Sequence, residues 1–109
     1  MHEMRELEIY LDDNGFYYVR IKSPTLNQIV AVSENGERLW DVVCNKGSYG
    51  YEQGLLELSG SLVTDDDIAK NDDTVVGYLT ATEMIDRIKN AAASGIIQAA
   101  ALAVAETRR

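Results

Sequence analysis

The chain has 109 residues, 46% hydrophobic and 26% charged, the values of one folded domain with a single core and not of a disordered segment. Ten Lys and Arg stand against eighteen Asp and Glu, a net charge of −8. That balance argues against direct binding to nucleic acid or to an anionic membrane, since phosphates need a basic face.

Residues 6–11 place Leu7, Ile9 and Leu11 in alternation with polar or amphipathic neighbours, the period of a half-buried strand. Asn14-Gly15 follows, a pair that tolerates the positive φ of a hairpin turn. Residues 16–22 alternate again, with Tyr17, Val19 and Ile21 on one face and Tyr18, Arg20 and Lys22 on the other. Ser23-Pro24-Thr25 breaks the run, and residues 28–33 read as a third strand. A second Asn-Gly pair, Asn35-Gly36, leads into a fourth strand from Arg38 to Cys44. Short connections predict an antiparallel meander of these four strands.

The texture then changes. Residues 45–50 read as a loop, 51–58 as a short helix despite Gly54, and 64–73 as an acidic loop. Val75 to Leu79 is a short extended piece. Thr80 and Glu83 form a capping box, in which each side chain satisfies one orphan backbone N–H. The helix they start carries Ile85, Ile88 and Ala92 on one stripe, and Gly95 ends, kinks or interrupts it. Residues 96–105 continue as an alanine-rich segment that is apolar almost all round, so a helix there must be covered on more than one side. The expected fold class is α+β in a single domain, 1–109. An N-terminal four-stranded antiparallel β-meander is followed by a short helix and a C-terminal helix pair or one long interrupted helix.

The segment from Asn45 to Tyr51 carries the most chemistry. A glycine-rich loop ahead of a helix exposes backbone N–H groups and the positive end of the helix dipole, which suits an anion. Lys46 adds a charge, Ser48 a hydroxyl, and Tyr49 and Tyr51 flat faces for a base or ring. The candidate ligand-binding set is Asn45, Lys46, Gly47, Ser48, Tyr49, Gly50 and Tyr51. Neither the Walker order nor Gly-x-Gly-x-x-Gly is present, and the same glycines also serve a plain strand-to-helix turn.

Other features point away from catalysis. Asp65, Asp66, Asp67, Asp72 and Asp73 lack the spacing of a calcium loop and read as solvated. With His2 the only histidine and Cys44 the only cysteine, tetrahedral zinc sites built from such ligands are not available. No cofactor and no metal is expected, and no catalytic constellation stands out, so the chain reads as a binder and not an enzyme. Trp40 is expected in the core, whereas Tyr10 and Tyr18 would form a contact patch if their strand face is open. A lone cysteine fits a reducing compartment, the charged start has no apolar signal core, and residues 96–105 are too few to cross a bilayer. The expected location is the cytoplasm, with no membrane contact. The all-round apolar 96–105 segment predicts a homo-oligomer held through it.

The stretch Val43 to Glu57, containing Cys44-Asn45-Lys46-Gly47-Ser48-Tyr49-Gly50-Tyr51, resembles a pattern in small hypothetical proteins of phages and prophages. Val76 to Ile85 looks like the second half of that pattern. The resemblance implies an accessory phage protein in the cytoplasm of an infected or lysogenic bacterium. Such proteins include inhibitors of bacterial defence: some sequester nucleotide signals, others, such as anti-CRISPR proteins, bind the defence machinery.

Two functions follow as expectations. One is a non-enzymatic binder that sequesters a small anionic, nucleotide-like ligand at Asn45 to Tyr51. The alternative is an acidic protein–protein inhibitor that covers a basic surface, such as the nucleic-acid groove of a defence nuclease.

Overall fold

The computed structural model describes residues 2–94. The elements in chain order are α1 (His2–Asp13), β1 (Tyr18–Lys22), β2 (Asn27–Val32), β3 (Arg38–Val43), a single 3-10 turn (Tyr51–Gln53), β4 (Leu56–Gly60), α2 (Asp65–Asn71), β5 (Val76–Leu79) and α3 (Ala81–Ala93). The α+β class and the antiparallel meander hold. The meander has five strands, ordered β1-β2-β3-β4-β5, and not the expected four.

The strand expected at 6–11 is helix. Two periods coexist in this stretch. Leu7, Ile9 and Leu11 alternate, but Met4, Leu7 and Leu11 also recur at i, i+3 and i+7. The second pattern wins, burying those three and leaving Ile9 exposed. Asn14-Gly15, read as a hairpin turn, is the helix end. Gly15 has φ 73°, its N–H donates to Asp12 O at 3.2 Å, and the Phe16 N–H donates to Leu11 O at 3.0 Å. These are the two bonds of a Schellman cap. Phe16 then stacks on Tyr10, with ring centroids 6.2 Å apart.

Two more segments differ from expectation. The helix read over 51–58 is one 3-10 turn followed by β4, in which Leu56 and Leu58 face the core and Glu57 does not. The left-handed Gly54 stops the turn. The acidic loop at 64–73 contains α2. Its Thr64 and Asp67 form a capping box, and Asp65, Asp66 and Asp67 crowd its first turn, where the helix dipole favours negative charge. The extended piece at 75–79 is the fifth strand.

One face of the sheet carries Ile29 and Ala31, Trp40 and Val42, Leu56 and Leu58 in cross-strand rows. These residues share one buried core with Met4, Leu7 and Leu11 of α1 and Met84, Ile88 and Ala91 of α3. Ile88 is fully buried as its stripe predicts, while Ile85 and Ala92 are only partly so. The two long helices touch, and Glu3 Oε1 accepts from the Ala81 N–H at 2.7 Å, tying their starts together. The expected oligomer helix at 96–105 lies outside the described residues. Among the described residues no helix is long and apolar enough to cross a membrane.

The capping box that opens α3 is formed as expected, with the Glu83 N–H donating to Thr80 Oγ1 at 3.1 Å and the Thr80 N–H to Glu83 Oε1 at 2.9 Å. Thr80→Ala should lower stability by about 1 kcal/mol. The check is a shift of the urea midpoint with an unchanged slope.

Candidate functional site

The segment 45–51 crosses from the end of β3 to the 3-10 turn and lies against β5. Its hydroxyl and much of its backbone serve the loop itself. Ser48 Oγ accepts from the Asn45 N–H at 3.1 Å and donates to Asn45 O at 2.7 Å. The Ser48 and Tyr51 N–H groups donate to Asn45 O and Ser48 O. The Tyr49 N–H donates to Glu57 Oε1 at 2.8 Å. Asn45 Oδ1 accepts from the Asn27 N–H at 3.5 Å, at the mouth of the β1–β2 hairpin. An anion arriving here would compete with a carboxylate already bound to the backbone. The helix that was to supply a dipole is three residues long.

The loop turns its aromatic side chains outward. Lys46 and Gly47 sit exposed at the tip, and Gly50 is buried. Tyr49 and Tyr51 are 50% and 40% exposed, well above what large aromatic rings usually leave in water. Tyr78, absent from the expected set, completes the group. It is 58% exposed and its ring stacks on Tyr49, with centroids 6.5 Å apart and planes 26° apart. The three tyrosines, Lys46 and Glu52 wall one open hollow of about 600 Å³. Lys46 and Tyr51 also border a second hollow of about 530 Å³ under the β1–β2 turn.

Close packing holds the pair in place. A Cβ on Gly77 would lie 2.2 Å from Tyr49 Cβ, so only glycine lets the loop seat on β5. The Tyr78 N–H donates to Tyr49 O at 3.4 Å. Tyr78 itself has φ 60°, a left-handed conformation that costs a side-chain-bearing residue roughly 1–2 kcal/mol. Strain of this kind concentrates at working surfaces. In the sequence, the trace of this arrangement is Gly77-Tyr78 interrupting an apolar strand, with nothing to pair it with Tyr49.

The other polar side chains singled out in the sequence serve the fold. Tyr10 and Tyr18 form no open patch: Tyr10 stacks on Phe16, and Tyr18 OH donates to Asp12 Oδ1 at 2.7 Å and Glu8 Oε2 at 3.2 Å. Burial, then those carboxylates, push the Tyr18 phenol far above its ordinary pKa. Burial also raises the Cys44 thiol. His2, Glu3 and Glu6 bring donor atoms within 4.8 Å of one another on the exposed first turn of α1. There His2 pairs with Glu6 and Glu3 caps α3. A third hollow, of about 510 Å³, lies where α2 meets α3. Its charged groups, Asp67 and Arg87, are bonded to each other.

No protein-family model, curated protein or solved structure matches this chain.

Proposed function

We propose that this is a non-enzymatic binding protein that docks a basic protein surface through Tyr49, Tyr51 and Tyr78. The observation that carries the reading is the exposed, stacked pair of Tyr49 and Tyr78, one of them held in a strained backbone conformation. Rigid tyrosines bring large contact area at little entropic cost and recur as anchors in protein interfaces. The charge of −8 speeds encounter with a basic partner and selects against acidic ones. The likeness to small phage proteins extends the reading to an inhibitor acting in a bacterium on a defence protein that itself handles nucleic acid.

Sequestration of a nucleotide-like anion is the second reading, favoured by Lys46 beside stacking faces. The Glu57 carboxylate on the Tyr49 amide weighs against it.

A photo-crosslinking residue in place of Gln53, exposed on the wall of the same hollow, with Ile68 as an exposed control, tests the choice in cells and leaves the three tyrosines intact. A protein adduct from position 53, lost when Tyr78→Asn is added, is expected. Equal adducts at both positions, or a nucleotide retained in the native mass spectrum of the purified protein, would overturn it. Tyr78→Asn should abolish the docking yet change stability by less than about 1 kcal/mol, because asparagine tolerates the left-handed backbone and its relief offsets the lost ring contact. A thermal scan beside the binding assay reads both.

A further inference from the structure

We infer that the tyrosine hollow recognises an arginine side chain on a basic protein segment, an assignment that rests on the docking reading above. The faces of Tyr49 and Tyr78 are nearly parallel and open to solvent, and an aromatic face carries negative quadrupole density that attracts a cation. Glu52 walls the same hollow. The Glu57 carboxylate accepts from the N–H of Tyr49, a residue of that wall. Two carboxylates against the single ammonium of Lys46 make the surroundings anionic, in a chain already at −8. A phosphate would meet these carboxylates unfavourably. A neutral apolar group would gain ring contact but nothing from the charge.

Arginine fits better than lysine. Its guanidinium is planar and lies flat on a ring while its edge donates a fork of N–H groups to a carboxylate. The lysine ammonium is compact, strongly hydrated and has no plane to stack. The hollow offers a ring pair and the Glu52 carboxylate together, which matches both surfaces of the guanidinium.

The test uses the full chain with labelled tyrosine rings, followed by NMR. Three probes are added in turn: a short peptide containing arginine, the same peptide with citrulline in its place, and AMP. Citrulline keeps the planar shape and loses the charge. The arginine peptide should move the Tyr49, Tyr51 and Tyr78 ring signals, and citrulline should bind at least about fivefold more weakly. Added salt should weaken the arginine peptide, and Tyr78→Asn should remove the response. Equal binding of the arginine and citrulline peptides would overturn the arginine assignment and leave the docking reading standing. Ring shifts with AMP alone would overturn both. No shift with any probe would overturn the arginine assignment, while the crosslink from position 53 reports on docking independently.

Discussion

Gly77→Ala is expected to empty the candidate site while the domain stays folded. The added methyl would lie 2.2 Å from Tyr49 Cβ, and that atom sits at the root of its side chain, so a rotamer change cannot clear it. The loop 45–51 must lift from β5. Lifting breaks the Tyr78 N–H bond to Tyr49 O and separates the two rings. The neighbours Val76 and Leu79 remain in the core, so the cost should be that of local overpacking, about 1–3 kcal/mol. Docking read by the position-53 crosslink should fall at least about tenfold, as for loss of a central anchor. Amide shift changes should be confined to 45–51 and 76–79. Undiminished docking in this variant would place the working surface elsewhere.

Arg87→Ala should have the opposite profile, a large loss of stability with the tyrosine hollow intact. The Arg87 guanidinium donates to Asp67 Oδ2 at 2.7 Å, to Asp67 Oδ1 at 3.0 Å and to Leu62 O at 3.1 Å. The two side chains are 25% and 17% exposed, so truncation takes the cation from a mostly buried carboxylate, which keeps only its Thr64 bonds, and removes the side-chain donor to the Leu62 carbonyl. The expected cost is about 2–3 kcal/mol. The bonds from Arg87, helped by the Thr64 backbone and hydroxyl, hold the Asp67 carboxyl well below the usual carboxylate range against the pull of burial. A depressed folded-state pKa stabilises above the unfolded value, near 3.8, and that contribution is lost as pH falls below it. The unmodified protein should therefore lose stability steeply below about pH 4, and the variant should lose less over the same range. Urea midpoints between about pH 5 and 2 give both curves. Parallel curves would show that the pair does not carry the effect.

The legible parts of the fold were those specified by local chemistry. The Asn35-Gly36 turn and the Thr80–Glu83 box each carry their instruction within a few residues, and β1, β2, β3 and the start of α3 lie where the sequence predicts them, but the faces of β1 are reversed: Tyr18 packs on the core, Arg20 shares the row of Ile29, and Val19 is 48% exposed. Failure came where two local rules agreed with two structures. Leu7 and Leu11 satisfy both the strand and the helix period, and Asn14-Gly15 serves a hairpin and a helix end alike. The deciding residue was Met4, one helical step before Leu7, which adds a third contact only to the helix. At 64–73 the signal lies in the place of Asp65, Asp66 and Asp67 in a first helical turn, and not in their charge alone. The candidate site was half legible. Tyr49 and Tyr51 lie in the loop singled out by its glycines, but Gly77 and Tyr78 reach it only through the pairing of β4 with β5, a long-range contact that no local pattern encodes.

The sheet's two borders also bear on how copies of this protein behave when crowded. A bare outer strand invites another chain to add to it, the first step toward fibrils. On β5 the loop carbonyl of Tyr49 already occupies the Tyr78 N–H. On β1, Arg20 lies in the same cross-strand row as Ile29, Val42 and Leu58. Its guanidinium is bonded to Ile21 O, Gln28 O and Asn27 Oδ1. A strand docking there would have to extend an apolar row past the Arg20–Glu8 ion pair. Strong expression should therefore give soluble material instead of strand-stacked aggregate, and Arg20→Val, which completes the apolar row, should be the substitution that brings on thioflavin-positive fibres.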